Sequence, residues 1–258
     1  MMRINVIGMG AGSPRHITLE AIDALQASDV VVALDKGDAK HDLLAARQLL
    51  IDTHAPGTPL IAVADPERDR NPADYRSEVA RWHAARAEAL ADTLRAHATG
   101  GTAAFLVWGD PSLYDSTLRI IERMQRDCGL DCEVHTIPGV TAVQALTAAH
   151  NILINRVGEA IHITTGRNLP HTRPADRRNC VVMLDGGAAW MDVATVDTYM
   201  YWGAYLGTDN EVLRAGWVTD IGTDVAALKA RLRQEHGWIM DTYLLREMPD
   251  HQPPSTIA

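Results

Sequence analysis

Phenylalanine occurs once in this 258-residue chain and cysteine three times. Cys128, Cys132 and Cys180 form an odd set with no CxxC spacing, which excludes a disulfide framework and a zinc knuckle and fits free thiols in a reducing compartment. Basic charge is not in surplus either. A net charge of −9 leaves no basic stripe to displace counterions from phosphates, so no nucleic-acid partner is expected. No apolar run reaches the ~18 residues of a membrane helix. The opening MMRINVIGMG enters a strand by Arg3 and lacks the apolar core and cleavage site of a signal peptide, so a soluble, cytoplasmic protein without membrane contact is expected. Neither a Ser-His-Asp set nor a metal-ligand constellation stands out, and no metal is expected.

What is present is an α/β balance: 47% hydrophobic and 22% charged residues, rich in Ala, Val, Leu and Ile. The length suits one large domain or two modest ones. Arg3–Gly8 reads as a buried strand, followed by helical spacing at Ile17, Ala21, Ile22 and Leu25. Asp29–Leu34 is a second apolar strand and His41–Leu50 a helix. The polar, proline-broken Ala64–Tyr75 reads as a loop before a long helix at Arg76–Ala98. Thr102–Trp108 and Cys132–Ile137 are strands, with helices at Ser116–Arg126 and Thr141–His150. This alternation predicts a parallel sheet. After a linker at Asn151–Glu159, strands are expected at Ala160–Thr165, Cys180–Leu184, Thr198–Leu206 and Trp238–Arg246. Helices are expected at Asp209–Leu213 and Asp224–His236, before a frayed, polar end.

Three turns follow strands, where backbone N–H groups and helix N-termini converge on ligands in open α/β sheets: Gly8–Pro14 (GMGAGSP), Trp108–Tyr114 (WGDPSLY) and Pro138–Ala142 (PGVTA). The first superficially matches a dinucleotide fingerprint, with Asp35 near the ribose-binding position, but lacks the third glycine in its expected place, and a nicotinamide oxidoreductase is the alternative it leaves. In the second, Gly109 lets a ligand approach the backbone. Asp110 is placed either to accept from an amine or ribose hydroxyl or simply to cap the following helix.

Taken in order, GMGAGSPRHITLEA, GDPSLYDS and PGVTA resemble the tetrapyrrole (corrin/porphyrin) methylase family over nearly the whole chain. The resemblance implies two α/β domains, 1–150 and 151–258, with the active-site cleft between them. S-adenosylmethionine lies folded in that cleft and leaves as S-adenosylhomocysteine. Carried over residue by residue, the cofactor contacts are Ala11, Trp108, Gly109, Asp110, Leu113, Thr141, Ala142, Met183 in VVML and Ala204 in YWGAYLG. Met183 by itself also has a reading as core filler. Where the family reads GPGD this chain has GAGS, so Ala11 and Ser13 stand in place of a proline and a carboxylate.

Within the family, DKGDAKHDLLAAR, DPERDRNPADY, LVWGDPSLYDST and MYWGAYLGTDNEVLRAG resemble the branch of aerobic cobalamin synthesis that methylates a precorrin at the carbon bearing an acetyl group and releases acetate. The implied acceptor is precorrin-5 and the implied assembly a homodimer. A methylase acting at a different ring carbon, or a non-catalytic tetrapyrrole-binding protein, are the alternatives.

Methyl transfer from a sulfonium is an in-line displacement that asks mainly for alignment and exclusion of water. A substrate with many carboxylates asks for cations, and arginine binds carboxylates bidentately. Candidates for substrate binding are Lys36, Arg68, Arg70 and Arg167, together with Ser13 and Pro14 of the first turn; Arg76 extends the arginine group. Acetyl loss needs a water, a proton acceptor and an oxyanion donor, for which Asp35, Tyr114 and His162 are candidates by their expected nearness to strand ends. Each also has a structural reading, as a turn cap, a packed aromatic and a core imidazole.

Overall fold

The computed structural model describes residues 1–35, 37, 41–67, 69 and 73–248. The chain divides into two compact units, Met1–Thr141 and Ala142–Ala258.

In the first unit strands and helices alternate: β1 (Met2–Gly8), α1 (Leu19–Gln26), β2 (Val30–Asp35), α2 (His41–His54), β3 (Leu60–Ala64), α3 (Tyr75–His97), β4 (Thr102–Val107), α4 (Thr117–Cys128) and β5 (Cys132–Ile137). The sheet order is β3-β2-β4-β1-β5 and every pairing is parallel. Side chains alternate across the pleat. Ile4, Val6, Ala103, Phe105 and Val107 therefore join a core with Leu90 and Leu94 of α3 and Ile120 and Met124 of α4. Ile7, Ala104 and Leu106 face the other way onto Leu25 of α1 and Leu50 and Ile51 of α2. Burial on both faces is what the continuous apolar runs encode. Thr18 caps α1 through Ala21 N–H at 3.1 Å, and Gly129 closes α4 in the left-handed conformation.

One feature of this unit departs from expectation and another could not be read from the sequence. Leu60–Ala64 forms β3, parallel to β2, where no strand was expected. Its five residues lie beside a polar loop, and only the neighbouring edge of β2 makes them a strand. β2 also pairs with β4 only at Val30↔Ala103 and Val31↔Ala104, so the two strands part toward their carboxyl ends.

The second unit contains α5 (Ala142–His150), β6 (His162–Thr165), α6 (Pro174–Arg177), β7 (Asn179–Met183), β8 (Thr198–Ala204), β9 (Val212–Trp217), α7 (Val218–His236) and β10 (Asp241–Glu247). The sheet order is β6-β7-β10-β8-β9, parallel between β6 and β7 and antiparallel elsewhere. One face packs Val182, Trp202 and Tyr243 against Val225, Leu228 and Leu232 of α7. α5 packs against β8 and β10, with Leu146 fully buried near Gly203. This helix was expected to belong with residues 1–150, but its apolar face is spent on the second sheet.

The helix expected at Asp209–Leu213 is absent. Gly207 takes a left-handed φ of 75°, its N–H donates to Glu211 Oε2 at 2.7 Å, and the chain turns back as β9 from Val212, paired along β8. A five-residue segment carries too little periodicity to separate helix from strand. α7 starts at Val218, six residues before the expected Asp224, because Val218 adds to its buried stripe. β10 starts at Asp241, three residues after the expected Trp238.

Candidate active site

All five strands of the first sheet are parallel, so their carboxyl ends share one edge, and the three turns of the sequence motifs meet there. β1 ends at Gly8 and β4 is followed by Gly109. Gly10 and Gly109 exchange backbone hydrogen bonds, Gly109 N–H to Gly10 O at 2.8 Å and Gly10 N–H to Gly109 O at 3.3 Å. The PGVTA turn lies against both. A Cβ on Gly139 would stand 2.2 Å from Gly109 O and 2.8 Å from the Gly8 backbone, so glycine is required by close approach of three backbone segments.

Asp110 locks this arrangement. Its Oδ2 accepts from Gly139 N–H at 2.8 Å, and Oδ1 accepts from Ser112 N–H at 2.8 Å and from the Ser112 hydroxyl. Partial burial pushes the carboxyl pKa up. The bonds from the Ser112 hydroxyl, Gly139 N–H and Ser112 N–H outweigh that push and hold it below the usual carboxylate range. The side chain thus ties the second turn to the third. Beyond it Tyr114 adopts a left-handed φ of 54° and is 45% exposed. An aromatic held out in that conformation is the kind of strain found beside ligands.

Ala11 is 3% exposed. Ser13 accepts from Arg15 N–H at 3.2 Å and precedes a short 3-10 turn whose first residue is Pro14, so both expected substrate contacts have local roles in the chain turn. Trp108, Leu113 and Thr141 of the first unit are half-buried, and so is Ala142, the first residue of the second. Asp35 ends β2, and its Oδ1 accepts from Gly37 N–H at 2.9 Å, the turn-capping role weighed for it. Lys36, Arg68 and Arg70 lie outside the described residues. Arg76 stands in the first turn of α3.

The second unit also gathers strand ends. β7 and β8 both run antiparallel to β10, so Met183 and Ala204, their last residues, share an edge and flank Thr242 and Asp241. Thr165, the last residue of β6, lies beside Met183. His162 pairs with Cys180 at the opposite end of β6 and is not brought together with Met183. Arg167 is exposed in the turn after β6. Leu184, after Met183, takes a φ of 53° and is 66% exposed.

Two braces behind these edges escaped the sequence reading. In the first unit Arg86 of α3 forms a two-pronged ion pair with Asp65, just past β3, with Nε to Oδ1 at 2.6 Å. The guanidinium lies 3.5 Å from the ring centroid of Trp82, whose Nε1 donates to Pro66 O at 2.8 Å. In the second unit Lys229 of α7 is buried, and its Nζ donates to Asp241 Oδ2 at 2.7 Å and to Asp185 O. Trp202 Nε1 donates to the same Asp241 oxygen at 2.9 Å. Tyr243 O–H donates to Asp185 Oδ2 at 2.8 Å. Burial raises the Asp241 pKa against the pull of Lys229, and burial beside Asp185 raises that of Tyr243. The one signal in the sequence was a lysine among the apolar positions of α7, between Val225, Leu228 and Leu232. Among the described residues no group of three or more His, Cys, Asp or Glu is placed to hold a metal ion.

A model of the tetrapyrrole (corrin/porphyrin) methylases matches residues 3–222. The chain is 40% identical over 254 residues to a precorrin-6A synthase [deacetylating] from Sinorhizobium sp., covering 97% of each. It is 62% identical to a crystal structure of a cobalamin synthesis related protein (CobF) from Corynebacterium diphtheriae, with a TM-score of 0.87, covering 96% of this chain and 99% of that one. A uroporphyrin-III C-methyltransferase from Thermus thermophilus, solved with S-adenosylhomocysteine, shares the fold at a TM-score of 0.59 and 17% identity, covering 95% of this chain and 97% of that one. Turn geometry, two-sheet architecture and full-length similarity agree, and the chain belongs to the tetrapyrrole (corrin/porphyrin) methylase family.

Proposed function

We propose that this chain transfers a methyl group from S-adenosylmethionine to a precorrin and releases an acetyl group as acetate, converting precorrin-5 to precorrin-6A in cobalamin biosynthesis. The observation that carries this reading is end-to-end similarity to the deacetylating precorrin-6A synthase, 40% identical over 97% of both chains. The residues fit the cofactor. The first unit offers a backbone-rich edge with half-buried Trp108, Leu113 and Thr141, and the second offers half-buried Ala142 at the start of α5, and Met183 and Ala204 on one strand edge.

Bound S-adenosylmethionine supplies an electrophilic methyl carbon to an electron-rich ring carbon. The protein's part is to fix that methyl and keep water from it. Asp110 serves as a positioning residue, since its carboxylate is engaged by Gly139 and Ser112. In acetyl loss the oxygen of water bonds to the acetyl carbonyl carbon, and the bond from that carbon to the macrocycle breaks with its electron pair left on the ring. Tyr114, a residue 45% exposed beside the turns, is proposed as donor to the developing oxyanion. Asp35 is proposed as acceptor of the water proton. His162, opening β6 away from Met183, has less support for such a part. Arg167, exposed after β6, is proposed as a contact for substrate carboxylates. The assembly is proposed to be a cytoplasmic homodimer, as the family resemblance implies; light scattering of the purified chain checks the dimer.

Mass spectrometry of the product from precorrin-5 and methyl-labelled cofactor tests the reaction. Gain of one labelled methyl with release of acetate is expected. Methyl gain with the acetyl group retained would assign the chain to another ring position, and cofactor binding without S-adenosylhomocysteine from any precorrin would make it a binding protein.

A further inference from the structure

Where β2 and β4 part, the first unit holds a cavity of about 80 Å³, well above the ~30 Å³ that one water takes up in the liquid. The chain leaves β2 through α2 to β3 on one side and leaves β4 through α4 to β5 on the other, so the gap is a point where the strand connections diverge. Such gaps are where open α/β sheets bind ligands. Most of the wall is apolar, including Leu43, Leu90 and Ile121.

The exception is Arg47 of α2. Its guanidinium is almost wholly enclosed although the residue keeps some surface. Nε donates to Leu106 O at 2.9 Å, a carbonyl freed by the parting of the strands, and Nη1 donates to Leu43 O at 2.8 Å. Nη2 has no partner among the described residues, and no carboxylate there forms an ion pair with Arg47. The other cation in the wall, Arg86, is already neutralised by Asp65. Asp115 also lines the cavity, but its Oδ1 accepts from Thr117 N–H at 2.6 Å at the start of α4, where a carboxylate offsets the helix dipole. Burial weakens the proton affinity of Arg47 despite the field of Asp115. Arg47 is hydrogen-bonded only to neutral carbonyls among the described residues and feels Asp115 without a direct ion pair, and a cation so enclosed is costly unless a closer counter-charge arrives.

We propose that this cavity is a binding site for a short aliphatic carboxylate, with Arg47 Nη2 donating to the carboxylate and the apolar wall receiving its carbon chain. The site rests on the geometry above. Only the source of the carboxylate, an acetate or propionate arm of the macrocycle or the acetate released in the reaction, rests on the proposed function.

The test uses the full chain with sodium acetate and sodium propionate against sodium chloride at equal ionic strength. Calorimetric titration is expected to show saturable binding of both carboxylates, and the melting temperature is expected to rise with them and not with chloride. Arg47→Gln, verified as folded by circular dichroism, should weaken binding by about tenfold or more, as loss of a charge-assisted bond does. Leu43→Trp fills the cavity without altering Arg47 and should remove the carboxylate effect, which keeps the test open if Arg47→Gln fails to fold. Displacement of bound acetate by uroporphyrin, an octacarboxylate tetrapyrrole, would identify a macrocycle arm as the source; acetate retained beside it would identify the free acid. Acetate behaving as chloride does, or binding unchanged in either variant, would overturn the proposal. None of these readouts uses methyl transfer, so a chain that binds acetate and fails to methylate precorrin-5 would refute the proposed reaction and leave the site standing.

Discussion

Replacing Asp110 separates a brace from a ligand contact. Its carboxylate accepts two backbone N–H groups and one hydroxyl, joining the WGDPSLY turn to Gly139. Hydrogen bonds to a charged group contribute about 1.5–3 kcal/mol each. Asp110 is only half-buried, so solvent screening reduces the sum, and Asp110→Ala should cost about 2 kcal/mol. For a chain of this size that lowers the melting temperature by about 4–8 °C. The loss should be present without cofactor, because the bonds are made within the protein. The pH dependence has a definite sign. The folded-state pKa is depressed, so the stabilisation is fully present above the unfolded value near ~3.9 and disappears as pH falls through the lower folded value. The stability difference between wild type and Asp110→Asn should therefore stay constant from neutral pH to about pH 4 and shrink below it. Calorimetric melting from pH 3 upward, with and without S-adenosylmethionine, measures both quantities. If Asp110→Ala melts with wild type in the absence of cofactor yet loses cofactor affinity, the carboxylate serves the ligand and the bracing account is wrong.

Lys229→Met should destabilise the chain by about 3–5 kcal/mol in urea unfolding, because Asp241 is left buried and charged. Adding Asp241→Leu should restore part of that loss, and a double variant no better than the single one would count against the ion pair as the cause. Gly139→Ala should cost about 3 kcal/mol, since its Cβ meets only backbone, 2.2 Å from Gly109 O. Gly129→Ala, with open space and a φ of 63°, should cost only about 1–2 kcal/mol. Unfolding midpoints of the two variants test that order. A thiol reagent at pH 8 should label Cys128 first in the native protein. Cys132 and Cys180 are buried, with burial raising the Cys132 thiol and pushing Cys180 up to about 12. Rapid labelling of Cys180 before unfolding would show that the second sheet opens.

The sequence by itself determined whatever is encoded by neighbours along the chain. Apolar runs such as Val30–Leu34 and Ala103–Val107 specify strands buried in the sheet, and the glycines after β1 and β4 specify turns. The GDP and PGVTA motifs announce the family. Length and spacing sufficed because each signal is local, carried by backbone conformation and side-chain alternation. Where a segment was short, its partner decided. Leu60–Ala64 is a strand only because β2 offers an edge, and Val212–Trp217 only because Gly207 turns the chain back onto β8. α5 follows the first sheet in sequence but packs on the second because that is where its apolar face is buried. The electrostatic features were the least legible. Lys229 finds Asp241 twelve residues away across a helix end, Arg86 finds Asp65 across 21, and Arg47 reaches Leu106 across 59. A charge in a sequence reads as a solvated surface group, and only tertiary packing, by removing water and supplying or withholding a partner, gives that charge its role.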